Sequence, residues 1–234
     1  MTELVLPAAN RDFVAALQGI QSTPGTWAVV GGLAVWCHLG RSHRPTLDID
    51  TAAGPIARET LVASGEPGDA DHRRHIDGVK LELIDVFDPS DGLADLTNEQ
   101  QLFVAGHWAA AIGATPVTIC SGELTAIVPV APRGPLVSCK LHAWLGRRPA
   151  SADKRGSDGL DIVRLLELGD WPELARQLDP GSGLAVVTAW AARAVLVDQA
   201  TRVARLISVN TDTAPMDSSR ITELGEALVD TCQS

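Results

Sequence analysis

Up to Pro135 the apolar residues come in short runs divided by glycine, proline and Asp-Gly or Ser-Gly pairs; beyond it they recur at helical spacing. Asn10 is placed to cap a helix with Phe13, Val14, Leu17 and Ile20 on one face. After Pro24-Gly25, residues 26–30 have strand composition, and residues 33–39 make a short apolar helix ended by Gly40, a residue suited to the left-handed cap. Gly31-Gly32 is then a strand-to-helix turn. A strand carrying Asp48 and Asp50 follows, with Leu47 and Ile49 directed to the core. Asp77-Gly78 reads as a hairpin turn between residues 72–76 and 79–87, and Ser121-Gly122 as another between residues 117–120 and 123–128. Helices are expected at 135–147, 158–168, 171–178, 184–208 and 218–231, and residues 150–156 and 211–218 read as mobile loops. The expected fold class is α+β: a mixed β-sheet flanked by helices over residues 1–133, then a helical segment over 134–234.

Composition narrows the setting. A chain of 234 residues that is 45% apolar fills a real core, and no stretch approaches a membrane span. The N-terminus lacks the basic, apolar and cleavable segments of a secretory signal. Cys37, Cys120, Cys139 and Cys232 are too scattered for a metal pair or a disulfide framework, so a reducing cytoplasm is the expected location. His72 and His75 stand without further ligands, which sets a zinc reading aside. A net charge of −10 argues against indiscriminate nucleic-acid binding. The basic residues are nonetheless grouped: Arg41, Arg44, Arg73 and Arg74 in one stretch, Lys140, Arg147, Arg148, Lys154 and Arg155 in another. A focused basic cleft on an acidic body attracts a triphosphate or one end of an RNA.

Candidate chemistry centres on residues 29–50. Asp48 and Asp50 sit at i and i+2, so on a strand both side chains leave one face, roughly 7 Å apart along the backbone. Carboxylates so placed can share divalent cations, and a pair of metals about 4 Å apart clamps the attacking and leaving oxygens of a phosphoryl displacement. Gly31 and Gly32 let a phosphate approach the free N–H groups of a helix start. A third carboxylate is sought in the later strand at Glu82 or Asp85, which face opposite sides of a regular strand. Lys140 lies beside the stripe of Val137, Leu141, Trp144 and Leu145, where a solvated lysine is ordinary; Asp158 and Asp161 have an equally plain reading as first-turn acids favoured by the helix dipole.

Together, Gly31-Gly32, Arg44, Thr46, Asp48 and Asp50 resemble the signature of the DNA polymerase β-like nucleotidyltransferase superfamily, in particular its AbiEii and MenT toxin branch. Residues 136–161 are similar to that branch's lysine helix and aspartate segment, with Ser157 standing where the branch carries a base and Gly32 where many members carry serine. The resemblance implies a nucleotidyltransferase fold and transfer of a nucleoside monophosphate from an NTP to an acceptor hydroxyl. It implies that Asp48 and Asp50 hold Mg2+ or Mn2+, that Gly31, Gly32, Arg44, Thr46 and Lys140 bind the nucleotide, and that Asp158 completes the site. Asp85 is preferred as the further metal ligand for its likeness to the superfamily's later strand. The branch further implies a toxin acting on tRNA 3′ ends, an antitoxin partner, and Thr46 as a hydroxyl open to regulatory phosphorylation, whose added charge repels a triphosphate. Two alternatives remain: an aminoglycoside or lincosamide-type antibiotic nucleotidyltransferase, and a nucleotide-binding regulator without turnover.

Overall fold

The computed structural model describes residues 2–93, 95–147, 151–210 and 216–234; Arg148, residue 150 and residues 211–215 of the expected loops lie outside them. The chain divides into two compact units, Met1–Asp88 with His107–Pro132, and Pro89–Gly106 with Arg133–Ser234. Segment 89–106 thus belongs with the C-terminal residues, although the sequence reading placed it before the boundary.

The first unit is built on one mixed sheet. In chain order its elements are β1 (Thr2–Val5), α1 (Arg11–Ile20), β2 (Trp27–Val30), α2 (Gly31–Leu39), β3 (Asp48–Ala53), α3 (Pro55–Ser64), β4 (Glu66–Pro67), β5 (Arg73–Ile76), β6 (Val79–Asp85), the end of α4 (Asn98–Ile112), β7 (Thr115–Ser121) and β8 (Leu124–Val130). The strand order is β1-β7-β8-β2-β3-β6-β5-β4. β3 lies between β2, its antiparallel neighbour, and β6, its parallel one. Trp27, Ala28, Val29 and Val30 are all buried, as in a strand covered on both faces. β6 alternates instead: Val79, Leu81 and Leu83 are buried, while Lys80, Glu82 and Ile84 are only part-covered. Both hairpins form, the first at Asp77-Gly78 as expected and the second at Gly122-Glu123, one residue beyond the expected Ser121-Gly122, because Ser121 pairs with Leu124. Asp77 and Gly78 each take a positive φ, 49° and 79°, as a two-residue turn of the twisted-hairpin type requires. Leu47 is an exception to the expected pleat. It is 83% exposed because β3 begins only at Asp48, so Ile49 alone points inward.

In the second unit the described residues outside turns are helical: the first part of α4, then α5 (Arg133–Gly146), α6 (Ala152–Glu167), α7 (Trp171–Leu178), α8 (Gly183–Ala192), α9 (Ala200–Asn210) and α10 (Ser218–Gln233). Two expectations are corrected. The single helix at 184–208 is two, bent by 68° after a π-helical turn at Arg193–Val197 in which the Asp198 N–H donates to the Arg193 carbonyl. The helix expected from 158 begins at Ala152, so most of the supposed loop 150–156 is helix, and Asp158 and Asp161 lie in its interior instead of its first turn. Among the described residues no single helix is long and apolar enough to cross a membrane.

Candidate functional site

The first unit's candidate site grows from the turn between β2 and α2. Val30 is opposite Asp50 in the β2–β3 ladder, so the strand pairing itself delivers the Asp50 carboxylate to the turn. Gly31 has φ +64°, a left-handed conformation that costs other L-residues about 1–2 kcal/mol. A Cβ at Gly31 would overlap the Asp50 carboxylate, and a Cβ at Gly32 would overlap the Thr46 hydroxyl. The two glycines therefore make room for these side chains at the start of α2. Thr46 is buried at 8% exposure, its hydroxyl lying against the helix start. Arg44 approaches the same turn and donates from Nη1 to the Pro45 carbonyl at 2.9 Å.

Parallel pairing of β3 with β6 then decides the third carboxylate. Asp48 is in register with Lys80 and Asp50 with Glu82, and registered partners project from the same face of a sheet. Asp48, Asp50 and Glu82 each offer an oxygen within 4.8 Å of the others. Glu82, not the preferred Asp85, joins the two aspartates. Asp85 has the parity of the buried Val79, Leu81 and Leu83, ends the strand opposite Ala53, and forms an ion pair with Arg58 of α3. The signal for Glu82 was present in the alternation of residues 79–83; what displaced it was a likeness of short strand motifs.

Lys80 was missed altogether. Its Nζ donates to Asp48 Oδ2 at 3.0 Å and to Glu82 Oε2 at 3.1 Å. Burial draws its pKa down, but the hydrogen bonds and charges of Asp48 and Glu82 outweigh burial and leave it above the usual lysine value, so the ammonium stays charged. Glu82 Oε1 faces His72 at 3.6 Å and Arg73 at 3.8 Å, while Arg73 is bound more closely to Asp69 at 2.9 Å. The three carboxylates are part-exposed, all-oxygen and hard, which fits a divalent cation such as Mg2+ or Mn2+.

The second unit gathers the other predicted residues. Lys140 Nζ lies 2.7 Å from Asp161 Oδ2 and 3.4 Å from Asp158 Oδ1, and Arg147 Nε lies 3.0 Å from Asp158 Oδ2. Lys140 lies on α5 and Arg147 directly follows its last residue, and Asp158 and Asp161 share one face of α6 at i and i+3. Lys140 is therefore no solvated surface lysine, and Asp161 is fully buried. Arg155 donates from Nε to the Trp144 carbonyl at 3.1 Å and stacks on the Trp144 ring, with 5.0 Å between guanidinium carbon and ring centroid, so it is part of the packing. Burial pushes the thiols of Cys37, Cys139 and Cys232 up to about 12, which removes them as thiolate nucleophiles. No protein-family model, curated protein or solved structure matches this chain.

Proposed function

We propose that the protein is a divalent-metal-dependent nucleotidyltransferase that moves a nucleoside monophosphate from an NTP to an acceptor hydroxyl and releases pyrophosphate. The observation that carries this reading is the convergence of Asp48, Asp50 and Glu82 on one sheet face beside the Gly31-Gly32 turn. Asp48 and Asp50, with Glu82, would hold Mg2+ or Mn2+. A cation so held would offset charge developing on the transferring phosphoryl group and activate the attacking oxygen. Gly31 and Gly32 present backbone amides to the triphosphate, and Arg44 adds a fixed positive charge at the same turn. Thr46, packed against Gly32, holds the turn's shape, and phosphate added to it would meet the incoming nucleotide with like charge.

The likeness to the AbiEii and MenT branch supports a tRNA 3′ end as acceptor and an antitoxin as partner, extends the nucleotide contacts to Lys140, and adds Asp158 as a residue positioning metal or acceptor. The present reading rests on the first-unit carboxylates, because Lys140 and Asp158 already hold each other within the second unit. The test is incubation of purified protein with Mg2+ and each labelled NTP, against total tRNA and a panel of aminoglycosides. Transfer to RNA is expected. Label on drug instead favours the antibiotic-modifying alternative, and nucleotide binding without transfer favours the regulator. Asp50→Asn should lower transfer by more than about 100-fold, beyond the usual cost of losing a metal site's outer support, with an unchanged melting temperature. Full transfer by Asp50→Asn refutes the reading.

A further inference from the structure

We propose that Lys80 is a resident cation of the carboxylate cluster, one that a divalent metal must displace, so that this lysine sets the site's metal affinity and ties metal loading to nucleotide binding. The inference rests on the metal-site reading given above. Lys80 bonds Asp48 Oδ2 and Glu82 Oε2 at once, at 3.0 and 3.1 Å, and these belong to the carboxylates whose oxygens converge within 4.8 Å. An ammonium and a divalent ion therefore compete for the same ligands.

Its position follows from the sheet. Lys80 is in register with Asp48 and two residues before Glu82 on the same face of β6, so the backbone holds the base of this side chain beside the cluster. The other cations near Glu82 differ. Arg73 is 3.8 Å from Glu82 but has Asp69 as its closer partner, and His72 reaches only Glu82 Oε1, at 3.6 Å. Lys80 alone among these bridges two of the three carboxylates. It reduces the cluster's formal charge from −3 to −2, and charge count is a principal determinant of affinity at an oxygen-ligand site.

A displaced ammonium at the mouth of this cluster is a ready partner for the oxygens of a triphosphate. A nucleotide that takes up the Lys80 charge removes the competitor and strengthens metal binding, and by linkage the metal strengthens nucleotide binding by the same factor. The site is thus built to load metal and nucleotide together, and to hold metal weakly when no nucleotide is present.

The test is Mn2+ binding followed by the electron paramagnetic resonance of free Mn2+, on the full-length wild type, Lys80→Met, Lys80→Arg and Asp50→Asn. Each is measured with and without a non-hydrolysable NTP analogue. Without nucleotide, Lys80→Met should bind Mn2+ at least about tenfold more tightly than the wild type, on the scale of a changed ligand environment. Lys80→Arg, which keeps the charge, should stay near the wild type, and the analogue should tighten Mn2+ binding less in Lys80→Met than in the wild type. Thermal melts with and without Mn2+ check that each variant is folded. Equal or weaker Mn2+ binding by Lys80→Met, with binding still lost in Asp50→Asn, overturns the role of Lys80 and leaves the metal site standing. Absence of Mn2+ binding in both wild type and Lys80→Met, or binding indifferent to Asp50→Asn, overturns the metal site and this inference with it.

Discussion

The first unit gathers Asp48, Asp50 and Glu82 around one ammonium, Lys80, with the Asp48 and Glu82 side chains 29% and 26% exposed. In the second unit, Asp158 and Asp161 face Lys140 and Arg147, and the two aspartates and the lysine are at most 8% exposed. Both clusters set carboxylates against a lysine, but their burial differs. Asp158, Asp161 and Lys140 are closed off from water and pair with one another, with the part-exposed Arg147 closing the set at Asp158. Asp48, Asp50 and Glu82 are part-exposed, and Lys80, which bridges two of them, is itself reached by solvent, so a cation can enter among their oxygens. Access, more than residue identity, separates a cluster that can admit a ligand from one that is part of the packing.

Deleting the lysine from each cluster tests that contrast most severely. Lys140→Met removes the ion pair made to the fully buried Asp161, and the expected loss of stability is about 3–5 kcal/mol. Lys80→Met removes a part-exposed ion pair, with an expected change within about 1 kcal/mol. Urea denaturation followed by circular dichroism measures both. Similar losses in the two variants would erase the distinction, and a small loss in Lys140→Met would return that residue to the nucleotide-contact role the sequence resemblance implies.

Much of the first cluster was legible in the sequence because its determinants are local. Gly31, Gly32, Asp48 and Asp50 lie within one turn, one helix and one strand, and Asp77-Gly78 fixes its hairpin by backbone conformation alone. Glu82 and Lys80 depend on a parallel ladder between β3 and β6, a pairing between strands not adjacent in sequence that no local pattern specifies, although strand parity already excluded Asp85 from the polar face. The second cluster was obscured differently. The expected loop 150–156 ended at Gly156, but Gly156 is buried inside α6, and burial there outweighs weak helix propensity. The π turn at Arg193–Val197 had no glycine or proline to mark it. Helix α4 and strand β1 were left unassigned, and with α4 the membership of segment 89–106.

A smaller effect sharpens the account of the open cluster. Gly31→Ala must place a Cβ at φ +64°, costing about 1–2 kcal/mol of stability, and that Cβ overlaps the Asp50 carboxylate. Asp50 then has to move from the turn, so weaker Mn2+ binding is expected alongside the lower melting temperature. Gly40→Ala is the matched control. Gly40 has nearly the same φ, +67°, but open space around its Cβ, so the strain should recur without the loss of Mn2+ binding. If both variants bind Mn2+ as the wild type does, the glycine turn does not position Asp50.

The smallest expected effect concerns a charge that the second unit excludes. His142 lies on α5, its ring centroid 5.1 Å from that of Phe103. Burial draws its pKa below the usual histidine value, Glu99 opposes the shift and Arg147 adds to it. A folded-state pKa below the unfolded one means that the unfolded chain takes up the proton first as the pH falls. His142 therefore subtracts stability progressively as the pH drops below about 6.5, the ordinary value for histidine, and subtracts nothing well above it. His142→Phe keeps an aromatic ring against Phe103 and removes the titration. Urea midpoints for wild type and variant should differ by a constant amount above neutrality and move in the variant's favour as the pH is lowered through the histidine range. A parallel pH dependence in the two proteins would mean that this part of the second unit accepts a further positive charge, and that its balanced cluster is less closed to added charge than its ion pairs imply.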